Sequence, residues 1–357
     1  MKKLLSFLSA SLFLLSCCPS SHAAEYELSL SLAIPPVHAR WTEALKPWTE
    51  ELERRSGGRI KVEPYFAESL NKEAEAFDAV RNGLADIAEA SFNAAAGQFP
   101  FHERSWYISD TSRSLDKPSE IIHQVEQEFP QVMKELEGAK MLFSHCVTVG
   151  SFIGTIKPVK SLAELRGMKI VTSAGPNAAA RLSALGITVV PMPSSDVYMA
   201  MQQGIVDGCM VDFQLLVSRR FGDLIKHVIP ITLAGGTFYC VMNQDVYDGM
   251  PDDLKKVVDD VSREYSDKVM PEFWDRNQYE SCRVWMQEMG GQIHMLTEQE
   301  YAEAAAKMEP VLQDWIEKVS EAGLPGEAIA RRHLELQAEK NALWKDSRLI
   351  REFVSPR

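Results

Sequence analysis

Strand-like and helix-like patterns alternate along most of the chain. Residues 26–34 alternate polar and apolar side chains, as a half-buried strand does, and residues 42–55 then repeat apolar side chains at helical spacing. A strand pattern at 59–64, a helix pattern at 72–82 and a short apolar strand at 85–90 follow. This order predicts an α/β layer with a largely parallel sheet.

The same alternation begins again further along the chain. Strand patterns lie at 141–149, 168–172, 188–191 and 208–212, and helix patterns lie at 177–184 and 196–203. After a strand pattern at 238–243, a helical pattern runs almost without interruption over 251–289. At about 1.5 Å per residue this helix is over roughly 50 Å long, more than one small lobe needs. We therefore predict two α/β lobes and a long helix that spans both, with a kink at Pro271.

The first residues have the three-part layout of a secretory signal peptide. Two lysines precede an apolar run at 4–15, and small or polar residues follow. The run is shorter than the roughly 20 residues that a membrane-spanning helix needs. We expect 1–23 to be removed as a signal peptide, so that the mature chain is exported. Lipoprotein anchoring at Cys17 is the alternative.

The composition indicates a globular protein that does not bind nucleic acid. Of the 357 residues, 45% are hydrophobic and 25% are charged, which excludes disordered and coiled-coil classes. The formal net charge of -12 has the wrong sign for binding phosphate backbones or an anionic membrane surface.

Common catalytic, nucleotide and metal motifs are absent from the sequence. No HExxH, GxSxG, Walker, GxGxxG or EF-hand pattern occurs, and a secreted hydrolase would need a nucleophile with an oriented base. The cysteines left after cleavage have no zinc or redox spacing, and the sequence does not decide between disulfides and free thiols; they are Cys146, Cys209, Cys240 and Cys282. We therefore expect no enzyme, no catalytic residues, no metal and no cofactor.

Six blocks of the sequence carry a family resemblance. They are SGGRIKV at 56–62, GLADI at 83–87, LRGMKI at 165–170, VPMPSSDVY at 190–198, AMQQGIVDG at 200–208 and MPDDL at 250–254. In order and spacing they resemble the solute-binding proteins of tripartite ATP-independent periplasmic (TRAP) transporters, of the DctP type. Glycines in these blocks are predicted to end helices or permit turns, namely Gly58, Gly83, Gly167, Gly204 and Gly208.

The resemblance implies a two-lobe α/β periplasmic binding protein fold, in which each lobe is a sheet flanked by helices, with hinge strands and a long lobe-spanning helix. The expected division is 24–149 plus 237–275 as lobe I, 150–236 plus 276–330 as lobe II, and 331–357 as a C-terminal helical tail. Hinges are expected near 149–151 and 236–238.

The resemblance also implies the partners of the chain. They are a small organic solute and the small and large subunits of an integral membrane TRAP permease. We expect a periplasmic monomer that binds the solute between its lobes. A periplasmic sensor subunit, which presents ligand to a membrane kinase, is the alternative function.

Two positions depart from the resemblance at the usual ligand anchors. Most relatives hold a ligand carboxylate with an arginine directly after the Gly-x-Lys-Ile strand, but this chain has Val171, and Ser151 stands where many have a second arginine. Further along, Asp212 and Phe213 place an acid beside an aromatic ring, which favours an ammonium group. We therefore predict that an amine-bearing or uncharged polar solute binds slightly better than a simple carboxylate.

The alternative is a carboxylate receptor in which Val171 packs, Asp212 caps the next helix and a relocated arginine binds the acid. The candidates for that arginine are Arg40, Arg181 and Arg219. Ligands of open α/β sheets lie beyond the carboxyl ends of the strands, so loops there supply further ligand-binding candidates. They are His38, Trp41, Ser91, Phe92, His145 and Tyr239. Glu89 is assigned to strand-end or hinge structure.

Overall fold

The structure is a computed structural model that describes residues 24–95, 97–103, 105, 108–172, 175–193 and 195–354. The predicted signal peptide, residues 1–23, lies outside the described residues. Within the described ranges, no helix combines the length and the apolar character needed to cross a membrane.

The strands of the described chain form two separate sheets. They are β1 (Tyr26–Leu32), β2 (Ile60–Tyr65), β3 (Ile87–Ser91), β4 (Ala139–Cys146), β5 (Ser151–Thr155), β6 (Lys169–Thr172), β7 (Thr188–Pro191), β8 (Gly208–Val211), β9 (His227–Ala234), β10 (Thr237–Asn243) and β11 (Gln292–Ile293). Sheet 1 has the order β2-β1-β3-β10-β4, and sheet 2 has the order β11-β9-β5-β8-β6-β7. Strands β10 and β5 run antiparallel to their neighbours, and the other pairs are parallel.

Helices flank both sheets, which confirms the predicted α/β class. They are α1 (Lys46–Arg55), α2 (Ala76–Arg81), α3 (Pro118–Glu128), α4 (Gly175–Ala184), α5 (Val197–Gln202), α6 (Phe213–Ser218), α7 (Gln244–Gly249), α8 (Asp252–Glu264), α9 (Met270–Gln287), α10 (Glu298–Glu321), α11 (Gly326–Lys340) and α12 (Arg348–Phe353). Lobe I below means the layer built on sheet 1, and lobe II the layer built on sheet 2.

One long helical segment joins the two lobes. Helix α8 continues through a π-helical turn at Tyr265–Val269 directly into α9. Pro271 lies in the first turn of α9, next to the wider turn, where its missing N–H is tolerated. Apolar side chains of α8 pack on sheet 1, whereas those at the end of α9, such as Trp285, lie in the core of lobe II. The predicted lobe-spanning helix is therefore confirmed.

The chain crosses between the sheets at the two predicted hinge positions. Strand β4 passes to β5, and β9 passes to β10, through short connections. Val149 and Gly150 have φ of 70° and 77°, an unusual backbone for a β-branched residue such as valine. The Val147 N–H donates to Gly236 O at 3.0 Å, so the two crossings are hydrogen-bonded to each other. Their action as hinges stays a prediction.

The C-terminal part of the chain contacts both lobes. Trp315 and Val319 of α10 and Leu336 of α11 share an apolar cluster with Ile121 and Ile122 of lobe I helix α3. Further along the chain, three apolar side chains lie in the core of lobe II, namely Trp344, Leu349 and Ile350. The predicted division at residue 330 stays a proposal, and this packing favours extending lobe I to include the end of α10 and α11.

The block glycines have two different structural roles. Positive φ angles confirm the predicted turn role at Gly58, Gly83, Gly167 and Gly204. The prediction is wrong for Gly208, which begins strand β8 with no positive φ. A Cβ there would overlap the carbonyl oxygen of Gly154 on the adjacent strand β5. Gly208 is therefore needed for close approach of two strands.

The cysteines left after the predicted cleavage are free thiols in the apolar interior. They are Cys146, Cys209, Cys240 and Cys282, and burial raises the pKa of each thiol. Within the described ranges, no group of three or more metal-ligating side chains is close enough to hold an ion.

Candidate ligand-binding site

A buried polar and aromatic cluster lies at the carboxyl edge of sheet 1. Arg40 follows strand β1, Glu89 is near the end of β3, and His145 is near the end of β4. Phe238 is near the start of β10, which runs antiparallel between β3 and β4. Trp274 of helix α9 completes this group, which we call the Arg40 cluster. It lies where open α/β sheets bind ligands.

Hydrogen bonds in the Arg40 cluster determine the tautomer of His145. Trp274 Nε1–H donates to His145 Nδ1 at 3.0 Å, and His145 Nε2 is 3.1 Å from Glu89 Oε1. Because Nδ1 accepts, the proton of the neutral ring is on Nε2, which donates to Glu89. Burial lowers the pKa of His145, so the neutral form is favoured. Burial alone would raise the pKa of Glu89, but Arg40 and His145 outweigh it and lower that pKa.

The Arg40 guanidinium is buried with most of its bonding capacity unused. Its side chain is 6% exposed, its Nε lies 3.3 Å from Glu89 Oε1, and its Cζ lies 4.2 Å from the ring centre of Phe238. The contact between Nε and Oε1 lacks hydrogen-bond geometry, so Arg40 Nε is buried without a hydrogen-bond partner. The other carboxylate oxygen, Glu89 Oε2, is also buried without one. Among the described residues, the Arg40 side chain donates no hydrogen bond.

Burial and charged groups of both lobes influence the pKa of His38. The half-buried ring accepts at Nδ1 a hydrogen bond of 3.1 Å from the Arg40 backbone N–H. Burial and the charges of Arg40 and Arg219 lower the pKa of His38 to about 4, although Glu89 opposes them. Arg219 follows α6 of lobe II and is exposed. His38 is therefore neutral at neutral pH, and the two guanidinium groups supply positive charge around it.

The other lobe I candidates are mainly interior side chains. Trp41 is buried and meets Phe66 edge-on, with ring centres 5.0 Å apart. Phe92 and Tyr239 are buried against each other at 4.9 Å. Ser91 is half-buried, and its hydroxyl caps the turn that follows β3. Contact of these residues with ligand stays a prediction.

The lobe II candidates occupy packing and capping positions. Val171 is buried in the lobe II core, beside Val190 and Cys209 on the adjacent strands. Ser151 begins β5 and is half-buried. Val171 is therefore a packed apolar side chain of the lobe II core, and its place at a ligand anchor stays a prediction.

Of the predicted acid and aromatic pair, Asp212 lies at a helix N-cap and Phe213 lies in the core. Asp212 caps α6, because its Oδ1 accepts the Leu215 N–H at 2.8 Å. Burial raises the pKa of Asp212, while the hydrogen bond from the Leu215 N–H opposes the rise. The Phe213 ring is 1% exposed and packs against Trp285 in the core. Phe213 thus faces away from open space, because it fills the interior beneath the helix that Asp212 begins.

Of the three arginines weighed as relocated anchors, Arg181 has a structural role. Its Nη2 donates to Thr232 O at 3.0 Å and to Ser109 O at 3.4 Å. The guanidinium therefore ties the 109–113 loop to strand β9. Arg40 and Arg219 remain as candidates.

A partly open cavity lies elsewhere in the molecule. It has a volume of about 290 Å³ and is lined by Leu296, Tyr301 and Trp344, among others. Of its charged lining residues, Glu298 pairs with Lys345 and Asp110 pairs with Arg113. Its apolar walls offer less for recognising a polar solute than the Arg40 cluster, and we place the site at the Arg40 cluster for that reason.

A second buried ionic group lies behind Phe92. The His102 ring stacks on Phe92 at 4.6 Å, and its two nitrogens lie 2.9 Å from Glu135 Oε2 and 3.1 Å from Glu126 Oε1. Burial alone would lower the pKa of His102, but hydrogen bonds and charges from the two carboxylates outweigh it and raise the pKa to about 9.

We expect the stability of the protein to decline between pH 6.5, the pKa of an unperturbed histidine, and about 9. Since the folded-state pKa of His102 is the higher one, its contribution is fully present below that window and is lost as pH rises through it. Thermal unfolding across the window should show a smaller slope for His102→Gln than for the wild type. Equal slopes would contradict the assignment.

Sequence reasoning missed several members of the Arg40 cluster. Glu89 was expected to be structural, and Phe238 and Trp274 were not considered. Phe238 stands directly at a predicted hinge position, and that placement was the available signal. Trp274 offered none, because its contact with His145 depends on how the long helix packs on sheet 1.

A family model matches residues 33–318 of the chain, that of the bacterial extracellular solute-binding protein, family 7, called DctP. The C4-dicarboxylate-binding periplasmic protein DctP of Rhodobacter capsulatus is 24% identical over 318 residues, which cover 82% of this chain and 91% of the relative. A solute-binding protein of Verminephrobacter eiseniae is 27% identical over 219 residues, covering 58% of this chain and 62% of the relative.

Solved structures agree with the fold. A TRAP periplasmic solute-binding protein from Desulfovibrio salexigens matches with a TM-score of 0.80 and 24% identity, covering 89% of this chain and 97% of the other. A marine metagenome TRAP solute-binding protein specific for aromatic acid ligands, in complex with 3-hydroxybenzoate, matches with a TM-score of 0.76 and 27% identity, covering 89% and 99%. The family consists of binding receptors rather than enzymes. The chain therefore belongs to the DctP family of solute-binding receptors that serve TRAP transporters.

Proposed function

We propose that this receptor captures a small organic acid between its lobes and delivers it to the membrane subunits of a TRAP permease. One observation carries the choice of an acid. The Arg40 side chain is 6% exposed, and its ionic contact among the described residues is with Glu89 Oε1 at 3.3 Å, which leaves its Nε without a hydrogen-bond partner. A buried guanidinium with N–H donors to spare favours a ligand carboxylate.

Relatives support the same choice. The Rhodobacter capsulatus relative is named for C4-dicarboxylate binding, and the metagenome structure for aromatic acid ligands. The amine-bearing solute that the sequence favoured has less support. Asp212 Oδ1 is engaged as a helix cap and Phe213 lies in the core, so the Phe213 ring is not open to the ammonium contact that this prediction needs.

A comparison of matched acids and amines tests the proposal. We expect benzoate or 3-hydroxybenzoate to raise the thermal unfolding temperature, and benzylamine, which has a similar shape and opposite charge, to leave it unchanged. A ligand at about 100 times its dissociation constant stabilises the folded state by about 2.7 kcal/mol, which such a scan detects. Stabilisation by benzylamine alone would overturn the proposal and make Asp212 the candidate for binding the ligand's amine. A tenfold weaker amine affinity in Asp212→Ala, about 1.4 kcal/mol, would then be expected.

Export and a monomeric state belong to the same proposal. The intact mass of the mature protein checks cleavage after residue 23, and light scattering on the purified protein checks the monomer. A mass that begins at Cys17 with a lipid attached would contradict the first of these.

A further inference from the structure

We propose that Arg40 is the carboxylate anchor of this receptor, so that the acid is held by lobe I. The inference rests on the proposed function and identifies the residues that perform it. The resemblance implies a carboxylate anchor in lobe II at the position of Val171, and Val171 is a buried apolar side chain. Ser151, at the second such position, carries no charge. An anchor must therefore come from another part of the cleft.

The bonding state of Arg40 indicates a missing anion. A guanidinium carries several N–H donors in one plane, and a donor that is buried without an acceptor, as Arg40 Nε is, is costly. Arg40 is 5% exposed, and its only ionic contact among the described residues is the poorly aligned one with Glu89. A carboxylate that accepts two parallel hydrogen bonds from Arg40 would satisfy these donors.

The surroundings of Arg40 hold its guanidinium in place. Its Cζ lies over the Phe238 ring, and that ring stacks nearly parallel with the rings of His145, at 5.0 Å and 13°, and Trp274, at 5.9 Å and 19°. The hydrogen bonds from Trp274 to His145 and from His145 to Glu89 fix the carboxylate beside Arg40. An anchor that is already ordered loses less entropy when a ligand binds.

The same neighbours restrict the class of acid. Glu89 already lies against Arg40, and the half-buried Glu73 is close enough that burial and Glu89 raise its pKa. A second ligand carboxylate near these two acids would be repelled. The Arg40 cluster therefore selects a monocarboxylate whose remaining groups carry no negative charge, and it disfavours a dicarboxylate such as succinate.

Calorimetry with benzoate, 3-hydroxybenzoate and succinate tests the anchor. We expect the wild type to bind one of the aromatic monocarboxylates and to bind succinate more weakly. Arg40→Lys keeps the charge but loses the paired hydrogen bonds, and should weaken binding by about tenfold. Because Arg40→Gln alone would strand Glu89, the double variant Arg40→Gln with Glu89→Gln removes both charges. It should weaken binding by about a hundredfold.

Controls separate the anchor from a general effect of charge. Arg276→Gln removes an exposed arginine that pairs with Glu43, and its affinity should match the wild type. Circular dichroism confirms that each variant is folded. If the wild type binds an acid and the double variant binds it equally well, the Arg40 inference is overturned. A larger loss of affinity in Arg219→Gln than in the double variant would also overturn it. In both cases the proposed receptor function stands. Tighter binding of succinate than of both monocarboxylates overturns the selectivity. A wild type that binds none of the three acids overturns the proposed acid receptor itself.

Discussion

Glu89→Ala should lower the free energy of unfolding by about 3–5 kcal/mol, the cost of removing one partner from a buried ion pair. The substitution leaves the Arg40 guanidinium buried without its carboxylate and the His145 Nε2–H without its acceptor. Urea unfolding of the ligand-free protein, followed by circular dichroism, measures the loss.

An exposed ion pair provides the matched control. Glu43 and Arg276 lie 2.9 Å apart with both side chains about half exposed, so Glu43→Ala should cost less than about 1 kcal/mol. Equal losses for the two alanine variants would show that Arg40 turns out to solvent when Glu89 is removed. That result would also weaken the case for Arg40 as a fixed anchor.

Gly208→Ala should destabilise lobe II by about 3 kcal/mol or more, at the upper end of overpacking effects. The new Cβ would overlap the Gly154 carbonyl oxygen on the adjacent strand β5. Both partners in this clash are backbone, so neither can move without opening the pairing between β5 and β8. The loss is measured as a shift in the urea midpoint.

Gly204 in the same sequence block is the control for Gly208. Its φ is +71° and a Cβ there would meet no atom within 4 Å, so Gly204→Ala bears only the strain of a left-handed alanine, about 1–2 kcal/mol. Equal losses at the two positions would mean that strand β8 shifts to accommodate the methyl group.

The class of fold and the family could be predicted from the sequence. The period of apolar side chains reports which face of each segment is buried, so the alternating strands and helices and the helix over 251–289 could be predicted. The block glycines with positive φ could be predicted as well, because a left-handed turn is a local property of the backbone. The six collinear blocks then identified the family.

The way the candidate residues meet could be read only from the tertiary structure. Arg40, Glu89 and His145 come from separate segments and meet only because β10 inserts between β3 and β4. The Phe213 ring faces the core because Asp212 begins a helix at that point, a direction that its sequence neighbours do not specify. Local periodicity encodes burial, whereas strand order and side-chain partners are set by long-range packing, and the chemistry of this receptor depends on those partners.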